Sequence, residues 1–142
     1  MRSLLDVNVL IAMLDAEHSS HQAAMDWFGS HAADGWASCP LTQNGCMRIM
    51  SQPSYPGATS ASDVAEHLRG ATSHKAHEFW PDDVSMLDES LLDMTRIHGP
   101  RQLTDAYLLA LAVRNKGRLV TFDAAIPISA VSGAKARHVV AL

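Results

Sequence analysis

An α/β fold built on a mainly parallel sheet is what this sequence predicts, and three observations predict it. Short apolar segments that suit buried strands alternate with longer segments of helical spacing. Acids stand where those segments end or helices begin, as on the ligand-binding rim of an open parallel sheet. No repeat, low-complexity tract or linker interrupts the 142 residues, so residues 1–142 read as one domain.

The elements follow in order. Residues 3–7 read as a first buried strand, and helical character follows from about Val9 to Leu14. His18 to Ser20 is a turn, with Ser19 or Ser20 able to cap a helix running to about Ala33. In that helix Ala23, Ala24, Trp27 and Phe28 make a core face. Trp36 to Ser38 is a short strand, and Pro40 suits the first turn of a helix to about Met50. Pro53, Pro56 and Gly57 mark a loop from Gln52 to Thr59. Ser60 and Asp63 form a capping arrangement for a helix to about Ser73. His77 to Pro81 suits an edge strand. Ser85 with Asp88 repeats the capping pattern, which predicts a helix through Met94 to Ile97, ended by Gly99-Pro100. Thr104 is expected to cap the next helix and Gly117 to terminate it. Arg118–Phe122 and His138–Leu142 read as the last strands.

A hydrophobic fraction of 47% supports a sizeable core. No apolar run approaches the roughly 20 residues of a membrane span. Asp6 interrupts the opening apolar stretch, which excludes a signal-peptide pattern, and the expected location is the cytoplasm. Cys39 and Cys46 read as reduced, partly buried thiols, too few for a structural zinc. The net charge of −4 does not announce a nucleic-acid binder. Bound cations reverse the local sign in a metal-dependent nuclease, however. Arg48, Arg101, Arg114, Lys116 and Arg118 could meet phosphates. His18 and His21 are read as surface or packing residues beside a turn. The scattered Met and Trp are read as core filling.

Three aspartates carry the chemistry. Asp6 ends the first strand, where a buried acid is costly unless paired, exposed on a rim or bound to metal. Asp105 opens a strongly apolar helix, where the helix dipole also favours an acid. Asp123 closes the strand from Arg118 and could cap the segment after it; Thr121 shares its strand side. Carboxylates held together repel unless a cation is present. Such a cluster suggests a divalent metal and phosphate chemistry.

Three segments together resemble PIN-domain ribonucleases, most closely the VapC toxins of bacterial toxin–antitoxin pairs. They are Leu5-Asp6-Val7-Asn8-Val9-Leu10, the run Cys39 to Arg48, and Leu103-Thr104-Asp105-Ala106-Tyr107-Leu108-Leu109-Ala110 followed by Thr121-Phe122-Asp123. The resemblance implies a PIN-like, Rossmann-like three-layer α/β/α sandwich and Mg²⁺- or Mn²⁺-dependent endonucleolytic cleavage of RNA. It implies Asp6, Asp105 and Asp123 as catalytic, metal-holding acids, with Asn8 and Thr121 as supporting polar positions. A cognate VapB-type antitoxin and a homodimer are implied as well. Arg101 is a candidate for neutralising an RNA phosphate. The family usually carries a glutamate on the helix after the second strand, where this chain has Gln43. Glutamine offers a neutral carbonyl oxygen and no charge.

Two rival readings remain at this level. One is a PIN-like binding module that acts through RNA or partner binding without cleaving. The other is a receiver-type phosphoacceptor domain, which predicts a lysine just after a late strand. Here Asp123-Ala124-Ala125 follows that strand and Lys135 lies well beyond.

Overall fold

The opening apolar run forms β1 (Ser3–Leu5) at the centre of a five-stranded sheet, in a computed structural model that describes residues 1–142. The other strands are β2 (Trp36–Ser38), β3 (His77–Phe79), β4 (Arg118–Thr121) and β5 (Val139–Ala141). Their order is β3-β2-β1-β4-β5, and every pair is parallel. The order reverses at β1, between β2 and β4, and this crevice is where open α/β sheets bind ligands.

Five helices cover the faces: α1 (Val7–Leu14), α2 (His21–His31), α3 (Pro40–Met50), α4 (Ala61–Thr72) and α5 (Arg101–Arg114). Side chains alternate along a strand, so Leu4 and Leu5 enter different cores. Leu4 and Leu119 pack with α5, Trp80, Val84, Leu92 and Val131. Leu5 and Val120 pack on the other side with Val9, Leu10, Trp36, Cys46, Val64 and Leu68. The result is the expected three-layer α/β/α sandwich.

Three local expectations need correction. The segment 85–97 does not form an α-helix; only Met94–Arg96 makes a 3₁₀ turn. Asp88 accepts from the Ser90 amide at 2.9 Å and Asp93 from the Thr95 amide at 3.0 Å. Such local acceptors compete with helical bonds, and Leu92 instead bridges antiparallel to Val131. Thr104 does not cap α5, which begins one turn earlier after Pro100 and leaves Thr104 exposed on its first turns. Proline at a helix start loses no hydrogen bond. At the far end the left-handed residue is Lys116 (φ 57°), not Gly117. Lys116 and Gly117 donate to Val113 and Ala112 at 3.0 and 2.8 Å, a Schellman ending. Gly117 is needed for close approach: a Cβ there would sit 2.6 Å from the Arg2 carbonyl oxygen.

The cysteines are buried rather than partly buried, and both are free. Burial pushes the thiols up, to about 11 for Cys39 and about 12 for Cys46, so both stay protonated. No helix is long and apolar enough to cross a membrane.

Candidate active site

The parallel register of β1 and β4 builds the site. Leu5 lies opposite Val120, so the next residues, Asp6 and Thr121, leave the sheet side by side. Thr121 Oγ1 donates to Asp6 Oδ2 at 2.6 Å. Asp6 is also the N-cap of α1, accepting from the Val7 amide at 2.7 Å. Its carboxyl is buried, 6% exposed, and its pKa is raised. Desolvation drives that rise against the Thr121 and Val7 hydrogen bonds, and the Asp123 charge adds to it.

Asp123 follows two residues after Thr121 and is exposed. Its amide donates to Thr121 Oγ1 at 3.0 Å, while its Oδ1 accepts from the Ala125 amide at 2.8 Å. No helix follows before Ile128–Ala130, so the contact is a local turn rather than the helix cap expected, and it leaves acceptor capacity on the carboxylate.

Asp105 stands on α5 one residue before its run of buried positions, Ala106 to Ala112. Its carboxyl is half-buried and pushed up to about 6. Desolvation is the largest cause, then the charges of Asp6 and Asp123, then a hydrogen bond with Asp123. Three acids from three elements thus meet on one rim, where the charges of Asp6 and Asp123 disfavour ionisation of Asp105.

Asn8 joins from the first turn of α1. Its Nδ2 lies 3.5 Å from Thr121 Oγ1, and its Oδ1 lies 3.4 Å from the Phe122 amide. These contacts tie α1 to the end of β4. Arg101 is exposed at the first position of α5 and takes part in no ion pair. It is four residues before Asp105 and shares its helix face. Of the other basic candidates, Arg114 pairs with Asp83 and Arg118 with Asp34.

Gln43 is turned to a different task. Its Nε2 donates to Ser38 Oγ at 3.0 Å, and Ser38 Oγ lies 2.8 Å from His77 Nε2. His77 has a lowered pKa, mainly from burial and then from the Arg2 charge, opposed by a hydrogen bond with the Thr72 backbone. A neutral His77 accepts from the Ser38 hydroxyl, which in turn accepts from Gln43. Sequence reading missed Ser38 and His77 as partners of Gln43; their pairing depends on β2–β3 register, which no local pattern carries. His18 and His21 are satisfied locally, His18 by the Ser20 amide and His21 by the Ala12 carbonyl.

The donor set fits a hard cation. As the side chains stand, no three or more His, Cys, Asp or Glu are grouped so as to hold a metal ion by themselves. Mg²⁺ commonly keeps several waters and uses one or two carboxylates plus substrate phosphates. The observation that favours a cation is that buried Asp6 and half-buried Asp105 both have raised pKa values, first from desolvation and then from neighbouring carboxylates, which a positive charge among them would oppose.

Comparison with known proteins agrees with this geometry. Residues 3–131 match the PIN domain family. Ribonuclease VapC44 of Mycobacterium tuberculosis (strain ATCC 25618 / H37Rv) is 50% identical over 142 residues, covering 100% of both chains. Ribonuclease VapC39 of the same strain is 44% identical over 134 residues, covering 94% of this chain and 96% of that one. Among solved structures, M. tuberculosis VapC20, a sarcin–ricin loop cleaving toxin, superposes with a TM-score of 0.61 at 9% identity. It covers 94% of this chain and 98% of its own. Rickettsia felis VapBC2, bound to a DNA fragment from its promoter, gives 0.57 at 14% identity, covering 87% and 88%. The two structures support the fold, and the family match with the full-length relatives supports more: this chain belongs to the PIN-domain family, among its VapC ribonucleases.

Proposed function

We propose that this chain is a metal-dependent endoribonuclease toxin whose ion, Mg²⁺ or Mn²⁺, is held by Asp6, Asp105 and Asp123. The observation that carries this reading is the convergence of the three carboxylates from β1, α5 and the end of β4. Burial first, and then the charges of Asp6 and Asp123, raises Asp105, and a cation held among the carboxylates favours their charged forms.

A bound divalent ion supplies Lewis acidity and a water of lowered pKa for hydrolysis of a phosphodiester. The chain's own residues do the positioning. The Val7 amide and Thr121 hydroxyl fix Asp6 with its charge aimed at the rim. Asn8 ties the start of α1, which follows Asp6, to the end of β4, which precedes Asp123. Arg101, one turn before Asp105, is placed to neutralise a substrate phosphate. No side-chain nucleophile is required.

A VapB-type antitoxin is the proposed partner, by analogy with the VapBC2 complex. Exposed Leu103, Leu87 and Met94 on the second half of the chain offer it apolar surface.

The test is incubation of purified protein with a mixed RNA pool in Mg²⁺, Mn²⁺ or EDTA. Cutting in either metal and none in EDTA is the expected result. Folded protein that leaves RNA intact in both metals favours a binding role instead.

A further inference from the structure

Beside the acidic site lies a cleft of about 320 Å³ that the reaction described above does not use. It is lined by Leu41, Asp82, Met86, Leu103, Thr104 and Tyr107. Leu41 sits on the first turn of α3, after β2, and Asp82 lies just past β3. The cleft is therefore on the carboxyl rim of the sheet, the same rim as Asp6 and Asp123. Thr104 immediately precedes Asp105, so the cleft and the acids share the start of α5.

The walls are apolar, and one charged group stands among them. The Leu41 amide donates to Asp82 Oδ2 at 3.1 Å, fixing the carboxylate to the start of α3. A carboxylate has about four lone-pair positions, so this contact leaves Asp82 able to accept more. We propose that this cleft receives one base of the RNA substrate, next to the cut phosphodiester, and that the base is guanine. The inference rests on the endoribonuclease reading. Flat bases bind between apolar side chains when unstacked and are read on their Watson–Crick edges. A carboxylate can only accept hydrogen bonds. Guanine presents two adjacent donors, N1–H and the N2 amino group, on that edge. Cytosine and adenine set one donor beside an acceptor, and uracil sets one donor between two carbonyl oxygens. Asp82 therefore selects guanine by complement and rejects uracil by repulsion, and Thr104 adds a hydroxyl that adapts to either role.

The test has two arms. In the first, a randomised RNA pool is cut and the ends are sequenced, for wild type, Asp82→Asn and Leu103→Trp. Wild type is expected to show guanine enrichment at one position flanking the cut. Asp82→Asn should reduce that enrichment about tenfold, the value of one bidentate base contact. Leu103→Trp, which fills the cleft from an exposed position, should lower kcat/KM for guanine-containing sites more than for others. In the second arm, the four nucleoside monophosphates are titrated into wild-type protein in EDTA and followed by methyl NMR. Saturable shifts at Leu41, Leu103 and Met86, strongest with GMP and lost in Asp82→Asn, are expected. A base preference unchanged in both variants, or shifts that do not distinguish GMP, overturns the proposal. So does an outcome in which the variants weaken only inhibition by an antitoxin, which would give the cleft to a protein side chain. Wild-type protein that cuts no RNA overturns the enzyme reading instead, and the titration still decides the cleft.

Discussion

Thr121 donates its hydroxyl hydrogen to Asp6 at 2.6 Å, across the ends of two neighbouring parallel strands. The same oxygen accepts from the Asp123 amide, so one hydroxyl orients two of the three acids. Thr121→Val keeps the shape and removes the hydrogen bond. A hydrogen bond to a buried charge contributes about 1.5–3 kcal/mol, and chemical denaturation should show a loss of that order. Cleavage should fall at least tenfold, while Thr121→Ser should retain most activity. Equal stability of the valine variant and wild type would contradict a stabilising role for this hydrogen bond.

Asp105 links function to a stability penalty. Its folded pKa is about 6 against an ordinary 3.8. A raised carboxyl pKa means that the folded state holds its proton longer than the unfolded chain. Metal-free protein therefore loses stability as pH rises from about 4 through 6, and the loss is complete above that window. Because the group is half-exposed, screening limits the effect to about 1 kcal/mol. In EDTA, Asp105→Asn should be less stable relative to wild type at pH 4.5 than at pH 7.5, by urea denaturation. Cleavage by the variant should be abolished. A difference that is the same at both pH values would contradict the assigned burial and charge environment.

Gly45 positions the site from behind. A Cβ there would meet Val7 Cγ2 at 2.7 Å, and Val7 directly follows Asp6. Gly45→Ala is expected to push α1 from α3, costing about 1–3 kcal/mol as overpacking. Its kcat should fall with little change in KM. Thermal unfolding and steady-state kinetics measure both.

Gln43→Glu tests what the neutral residue means. The amide donates to Ser38, which hydrogen-bonds to His77. A carboxylate can only accept, so it would turn the Ser38 hydroxyl toward itself. His77 must then supply a proton to Ser38, and its lowered pKa should rise, as NMR titration of the ring can follow. Because Gln43 faces Ser38, kcat at saturating metal should change by only a few-fold. A gain of a hundredfold would show that residue 43 swings into the metal site.

Much of this fold was legible because the strands are short apolar runs and the helix starts carry local signals. Asp6 at the end of β1, Pro40 in α3 and Ser60 before α4 follow from nearest neighbours. The segment 85–97 was not legible, because Asp88 and Asp93 satisfy helix caps and turn amides with the same atoms; Leu92 pairing with Val131 decided between them. The start of α5 was misplaced by one turn since Thr104 and Pro100 are both acceptable beginnings. At the rim, the three acids, Asn8 and Thr121, expected together from type and order, are brought together by the fold. The direction taken by Gln43 was not, because it depends on Ser38 and on His77 from the neighbouring strand. No local pattern singles out Asp82, which the fold sets beside Leu41 and Tyr107.

Direct titration of Mn²⁺, followed by electron paramagnetic resonance, tests most closely whether the three acids form one cation site. Wild type should bind Mn²⁺ saturably, and Asp6→Asn, Asp105→Asn and Asp123→Asn should each weaken binding at least tenfold while keeping the fold. Binding that survives all three substitutions unchanged, or is absent from wild type, would contradict the assignment.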